Sequence, residues 1–356
     1  MSFKRNLIIT AISLLATNNA FADAGKAYVT SQDGGVTMID LNTMETTGAI
    51  DVKGDGPRGL GLTDDGKFLI VATRENGSVS VIDTATNEVV KQIPVGKNPE
   101  FVRVRGNLAF VSYEPSAKGG PPPAPGAEPA KADDNADDDK GPKELARIGI
   151  IDLKKGKKIR EITGGPETEG IEFSKDGKQL IITNEADNTV TVHSLKTGKL
   201  IKRIETKQYG DRPRGIKVSP DGKTYITTLE YGNKFMVMDK KFNVLRTVDT
   251  GLAPYGVSYD KNGEHIFVAT NKSKMLEVYD AKTYEKIKEI PTGNRCWHFS
   301  FTPDDKQIIV ACGKSDAIVV IDAETLEPTK QIEVKQLPWG LVTYPKAMGS
   351  LDTKLK

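Results

Sequence analysis

With 356 residues the chain is long enough for two or three ordinary domains or one large all-β unit. Fifty Lys and Arg against 48 Asp and Glu give a net charge of +2, too balanced for a protein that neutralises many phosphates, and 37% hydrophobic residues exclude wholesale disorder. Three His and two Cys exclude Cys-x-x-Cys-His haem attachment, thiolate zinc clusters and disulfide-scaffold folds, so no cofactor or metal is expected.

The N-terminus reads as an address. Lys4 and Arg5 precede an apolar run over residues 7–16, and Ala20-Phe21-Ala22 precedes Asp23. This is the pattern of a secretory signal at 1–22 with cleavage between Ala22 and Asp23. A buried first helix is the alternative. The run is about ten residues, short of the roughly 20 that span a membrane, and no Cys follows the cleavage point for a lipid. The expectation is an exported protein, periplasmic or secreted, without a membrane span. Loss of Lys4 and Arg5 takes the net charge from +2 to 0.

The remainder is one repeated unit. A hydrophobic-Asp phrase sets the period: Ile39-Asp40, Ile82-Asp83, Ile151-Asp152, His193-Ser194, Met238-Asp239, Tyr279-Asp280 and Ile321-Asp322, at spacings of 43, 69, 42, 45, 41 and 42. Around each lie four short β-branched runs bounded by Gly, Asn, Asp or Pro, which predict four strands and their turns. Loops such as Asp64-Asp65-Gly66-Lys67 predict hairpins with Gly at positive φ. A four-stranded sheet of about 42 residues cannot bury both its faces, and stacking such sheets around an axis is the economical solution. The predicted fold is all-β, a seven-bladed β-propeller over residues 23–344. The run from Lys26 reads as a second strand and the stretch 338–344 as a first strand, so one blade is closed by both termini and 345–356 is left as a C-terminal tail.

The spacing of 69 marks an insertion over residues 115–145 between the second and third strands of the third blade. It holds seven prolines and four Lys against seven Asp and Glu, with Leu145 its sole large apolar residue, and reads as disordered. A solvated loop, a tether and a lid are the readings open to it.

Propeller topology puts the residue before each inner strand at one channel mouth. Aligning the Pro-x-Gly phrases gives Arg58, Glu100, Glu169, Arg214, Tyr255, Trp297 and Trp339, with His298 next to the last blade's aromatic. The ends of the second strands add Arg74, Glu114, Glu185, Glu230 and Asn271. Loops on a rigid scaffold concentrate binding groups. Either Arg and Glu of neighbouring blades pair with each other, or the rim holds a ligand: carboxylates and aromatic faces suit a cationic, planar one, and Arg58 and Arg214 suit a carboxylate or phosphate. Cys296 and Cys312 open the first and close the second strand of the last repeat. A hairpin pairing Thr302 with Lys306 sets them opposite one another at a hydrogen-bonded position with α-carbons about 5.5 Å apart, within disulfide range. Two free thiols beside His298 taking a soft metal is the alternative.

Tyr28-Val29-Thr30 and Ile82-Asp83-Thr84-Ala85-Thr86 resemble the YVTN-type β-propeller repeat, over nearly all of 26–344. Gly293 through His298, Pro303-Asp304 and Leu337-Pro338-Trp339-Gly340 are similar to the branch of propellers associated with pyrroloquinoline-quinone-dependent catabolism. The signal pattern and the rim lead us to expect an exported, non-enzymatic binding or accessory protein, monomeric, with a small molecule or a periplasmic protein at its mouth, and the resemblance implies a link to periplasmic quinone-dependent oxidation. A propeller lactonase-type hydrolase is the competing class, although no nucleophile with an adjacent base is visible in the sequence. Single-stranded nucleic-acid binding is a third, and five rim carboxylates oppose it.

Overall fold

The computed structural model describes residues 24–54, 56–113 and 144–352. The expected cleavage at Ala22 and Asp23, Glu114, and the insertion apart from Glu144 and Leu145 lie outside the described residues. Strands β1–β3 span Lys26–Ser31, Val36–Asp40 and Glu45–Ile50; β4–β7 span Pro57–Leu62, Phe68–Thr73, Ser78–Asp83 and Glu88–Pro94. Strands β8–β11 span Pro99–Arg105, Leu108–Tyr113, Arg147–Asp152 and Lys157–Thr163, and β12–β15 span Thr168–Phe173, Gln179–Asn184, Thr189–Ser194 and Leu200–Glu205. Strands β16–β19 span Pro213–Val218, Thr224–Leu229, Lys234–Asp239 and Val244–Asp249, and β20–β23 span Pro254–Tyr259, His265–Thr270, Met275–Asp280 and Lys286–Pro291. Strands β24–β28 span Cys296–Phe301, Gln307–Cys312, Ala317–Asp322, Glu327–Glu333 and Pro338–Tyr344.

These make seven four-stranded antiparallel sheets, the fold the repeat predicts. The first blade is β28-β1-β2-β3, closed by pairing Lys26 through Thr30 with Tyr344 back to Gly340. Local chemistry explains the Asp period. Asp83 Oδ1 accepts the backbone N–H of Ala85 at 2.8 Å and of Thr86 at 3.3 Å, and Asp280 and Asp322 do the same at their turns. The Asp therefore ends the third strand and shapes the turn into the fourth.

Each inner strand carries a register shift at its mouth end, at Arg58, Glu100, Glu169, Arg214, Tyr255, Trp297 and Trp339 in blade order from the second. A bulge leaves a residue out of the ladder and re-aims its side chain. Gly follows at positions such as Gly215 and Gly256, where a Cβ would run into the carbonyl oxygens of Tyr255 and Trp297 on the next blade. Three threonine hydroxyls, Thr30, Thr183 and Thr228, donate at 2.6 Å to the carbonyls of Arg58, Arg214 and Tyr255 across the same blade seams.

The register of the last blade differs in detail from the expected one. Its hairpin closes on Gln307, whose carbonyl accepts from Thr302 N at 2.9 Å, rather than on Lys306. The bulge at Trp297 then restores Cys296 opposite Cys312. The two are disulfide-bonded with α-carbons 3.8 Å apart, closer than the 5.5 Å expected because the pair sits beside the bulge and not in a regular hydrogen-bonded position.

Beyond β28 the chain turns back into the channel. Gly349 bridges Ser300, Ser350 N donates to the Phe299 carbonyl at 2.9 Å, and Leu351 is 1% exposed beside Leu60 and Gly340. Three positions below the mouth level, the inner strands present Arg103, Glu172 and Lys217. Arg103 Nη2 meets Glu172 at 2.8 Å, Arg103 Nη1 donates to the Leu351 carbonyl, and Lys217 Nζ donates to the Asp352 carbonyl at 2.6 Å. The C-terminal segment thus closes the channel from the face opposite the mouth. Burial and the neighbouring Arg103 pull the Lys217 ammonium down to about 7, against the attraction of Glu172.

Truncation after Leu337 strips β28 from the first blade and should abolish the cooperative thermal transition. Truncation after Tyr344 should keep the native circular-dichroism spectrum while lowering Tm, since loss of a buried Leu side chain alone costs about 2–5 kcal/mol. Equal behaviour of the two variants would contradict the closure described.

Candidate functional site

The mouth is a layer of charged side chains over a layer of rings. Arg58 Nη1 meets Glu100 across the seam of the second and third blades. Arg214 meets Glu169 at 2.7 Å, Glu230 at 2.6 Å and also Glu185. Arg212, which sequence alignment of the mouth positions passes over, pairs with Glu185 and lies 3.6 Å from Glu230. Tyr255 donates its hydroxyl to Glu169 Oε2 at 3.1 Å, with the Arg214 guanidinium 4.9 Å from its ring centroid.

Below, His298 contacts three rings: Trp339 at 4.4 Å, Tyr255 at 5.4 Å and Phe101 at 6.5 Å between centroids. Trp297 lies on the rim with Arg295 5.6 Å from its centroid. Arg74 pairs with Glu75 at 3.2 Å, and its charge also acts on Glu100. Asn271 is buried and donates its backbone N–H to the Ala253 carbonyl. Of the expected residues, Arg58, Glu100, Glu169, Glu185, Arg214, Glu230, Tyr255, His298 and Trp339 converge, whereas Arg74, Trp297 and Asn271 flank them. Phe101 and His298 stand where most blades have Gly after the bulge, a departure visible in the aligned sequence.

Burial governs the protonation of this cluster. It raises Glu100 to about 7, because the desolvation cost and the nearby Glu169 outweigh the attraction of Arg58. Burial also presses Glu169 upward, but Arg214, Arg58 and the Tyr255 hydroxyl more than reverse it and leave it below its ordinary value. Arg58 and Arg214 keep their charge despite burial, held above the ordinary arginine value by these carboxylates.

Among the described residues of the mouth, His298 with Ser350 is the arrangement that resembles a catalytic pair. Its Nδ1 lies 3.0 Å from Ser350 Oγ. That oxygen also accepts from Phe299 N at 3.0 Å and donates to Phe299 O at 3.1 Å, so the imidazole must be the donor to it and Nε2 is left bare. Burial holds the imidazole down to about 3, too weak a base to take a serine proton. The hydroxyl is locked on the closing segment, 6% exposed, with its own proton already placed.

Residues 6–105 match the family model described as the cytochrome D1 heme domain. A stretch of 77 residues is 34% identical to Protein NirF of Pseudomonas aeruginosa, covering 22% of this chain and 19% of that protein. Among solved structures, a functionally unknown protein from Desulfotomaculum acetoxidans superposes with a TM-score of 0.72 at 15% identity, over 90% of this chain and 98% of that one. Hydrazine synthase of Kuenenia stuttgartiensis gives 0.66 at 19%, over 88% and 99%, and a candidate 6-phosphogluconolactonase from Bacteroides uniformis gives 0.70 at 15%, over 90% and 100%. These likenesses establish the propeller fold.

The mouth does not fit a haem. Bare His298 Nε2 has the chemistry of an axial ligand, but Trp339 and Tyr255 already pack against its ring. A macrocycle between two side-chain planes needs about 7 Å, twice a carbon contact distance, and the cations that would meet its carboxylates are already paired with glutamates.

Glu100 binds its proton in the folded state at pH values where the unfolded chain, at its ordinary 4.5, releases it. Its contribution to stability should therefore fall as pH rises from 4.5 to about 7. Urea midpoints across that window should show this slope in the wild type and a shallower one in Glu100→Gln; parallel profiles would contradict the assignment. A thiol titration of the unfolded, unreduced protein should find no free thiol, and reduction should cost up to about 3 kcal/mol; two titrating thiols would exclude the bridge.

Proposed function

We propose that this chain is an exported, non-enzymatic binding or accessory propeller that engages a small molecule or a partner protein on its mouth face. The observation that carries the reading is the self-neutralised mouth. Its arginines and glutamates pair with one another, the channel is closed from below, and the histidine there is a buried neutral imidazole. A hydrolase needs an exposed nucleophile and a base poised near the working pH, and this cluster supplies neither. A rigid, charge-patterned face without turnover machinery suits recognition.

Export rests on the signal pattern of residues 1–22, cleaved between Ala22 and Asp23, and is supported by the Cys296–Cys312 disulfide, which belongs in an oxidising compartment. In this reading residues 23–344 are the propeller, 115–145 an inserted segment beside the mouth, and 345–356 the tail. A link to periplasmic quinone-dependent oxidation rests on the YVTN-type phrases and on the resemblance of the last repeat.

Two measurements test the reading. Glucono-δ-lactone should be hydrolysed no faster with the protein than without it; a protein-dependent rate that drops at least about tenfold in His298→Ala would establish the enzyme class instead. Lysine labelling after capture of a partner from periplasmic extract should show protection of Lys53, Lys97, Lys272 and Lys314 on the mouth side. Protection of Lys67, Lys178, Lys223 and Lys306 on the hairpin side would move the partner to the other face.

A further inference from the structure

Charge is divided unevenly around the outer wall of the propeller. Over the last two strands and the turn between them, blades three, four and five carry six, four and four Lys and Arg against two, one and two Asp and Glu. In blades six, seven, one and two the same segments carry three, one, none and one against four, four, two and two. Within the basic arc the acids are already engaged. Asp152 pairs with Lys155 at 3.5 Å, Glu161 with Lys158 at 3.0 Å, Glu205 with Arg203 at 2.8 Å and Asp249 with Lys234, while Asp239 accepts the backbone N–H of Lys241 and of Asn243 at 2.8 Å. The exposed Lys154, Lys157, Lys196, Lys199, Lys240 and Lys241 form no ion pair among the described residues.

These lysines stand on the face opposite the mouth. Leu153 N donates to the Asn107 carbonyl at 3.0 Å and Leu195 N to the Lys178 carbonyl at 2.8 Å, so the turns between third and fourth strands lie beside the hairpins that join first and second. Cations of the fourth strands tie each turn to that of the next blade. Arg160 donates to the carbonyls of Leu195 and Lys196, Lys202 to that of Lys241 at 2.8 Å, and Arg246 to that of Thr283 at 3.3 Å. The acceptors are neutral, so these ties hold the turns in one rim without cancelling its charge. An apolar pattern follows the same arc. The fourth strand bulges just after each turn, and the residue left out of the ladder is Ile159, Ile201 or Leu245, which are 47%, 54% and 56% exposed. Leu200 beside Ile201 is exposed as well. The flanking blades two and six have Val90 and Ile287 at the bulge, whereas the acidic blades seven and one have Thr329 and Thr47.

We infer that the hairpin-side rim of blades three to five is a peripheral docking surface for an anionic phospholipid bilayer. Lysine is a hydrated point charge on a flexible stem, suited to a diffuse layer of headgroup charge, and each one held near such a surface adds to the attraction. The branched aliphatics between the lysines enter the headgroup boundary, where buried apolar area reinforces the electrostatic term. A protein partner is held instead by aromatic and arginine anchors. Among the described residues, none of the rim's exposed large apolar side chains is aromatic. Its arginines are committed, Arg160 and Arg246 to carbonyls and Arg203 to carboxylates. Docking on this rim goes beyond the binding reading above and leaves the mouth turned away from the bilayer.

Co-sedimentation of the full chain with vesicles tests this, using phosphatidylglycerol mixed into phosphatidylcholine against phosphatidylcholine alone. At about 100 mM salt, where charges act over about 10 Å, the protein should sediment with the anionic vesicles and stay in solution with the neutral ones. Raising the salt to about 1 M should release it. Lys154→Glu, Lys196→Glu and Lys240→Glu together should lower the partition coefficient at least about tenfold. Lys97→Glu, Lys207→Glu and Lys314→Glu, on the mouth side, change the net charge equally and should lower it no more than about threefold. Ile201→Ser with Leu245→Ser should weaken partition at least about threefold at unchanged Tm. Absence of binding to anionic vesicles, equal binding to neutral ones, or equal loss in the two lysine triples overturns the proposal. If the vesicles are ignored while soluble polyglutamate is bound and the rim triple loses it, the rim serves an acidic protein and the lipid assignment falls. None of these outcomes decides the mouth reading, which lysine protection on the mouth side tests separately.

Discussion

Seven strands cannot crowd around one axis as ordinary ladder strands. Where they come closest, at the mouth end, each breaks its register at one residue, and several are followed by a glycine whose missing Cβ lets the next blade's backbone in. The bulge is the consequence that matters for function, because it turns the seven rim residues out of the ladder and six of them, all but Trp297, toward one another. Five of them are charged or carry a phenol, and a low-dielectric site surrounded by sheet cannot hold such groups unpaired. The mouth chemistry therefore follows from packing geometry before any ligand is considered.

Self-pairing is what the assembled cluster does with those groups. Arg214 holds three glutamates, Arg58 a fourth, and Glu100 is close enough to neutrality that its burial is tolerable. The same logic repeats one layer down, where Arg103 and Lys217 are satisfied by Glu172 and by main-chain carbonyls of the returning C-terminal segment. Such a core of charges is specific more than it is strong, since buried ion pairs repay their desolvation only when fully bonded. It makes the axis a scaffold and leaves recognition to the face above it.

The blades were legible in the sequence because the Asp that sets the period has a local job, capping its own turn, and local jobs repeat with the repeat. The rim was legible for the same reason: Pro-x-Gly marks the bulge and the close approach. Arg212 escaped because it precedes the proline of its own link and reaches the cluster by reach alone. The path of residues 345–352 escaped because a one-off segment has no periodicity to betray it. The Cys296–Cys312 pairing came out right although the hairpin register was off by one, since an unforeseen bulge at Trp297 offset the shift. Whether rim groups face one another or face a ligand is not a property of spacing at all; it depends on angles that bulges set.

The account stands on the mouth being a closed network of mutual pairs. A double-mutant cycle on Arg214 and Glu230, in contact at 2.6 Å and both at least 89% buried as side chains by exposures of 9% and 11%, tests it directly. The expected coupling exceeds the roughly 1 kcal/mol ceiling of exposed pairs. A coupling within about 0.5 kcal/mol of zero would mean that the two side chains face solvent or a ligand rather than each other, and the self-neutralised mouth would fall.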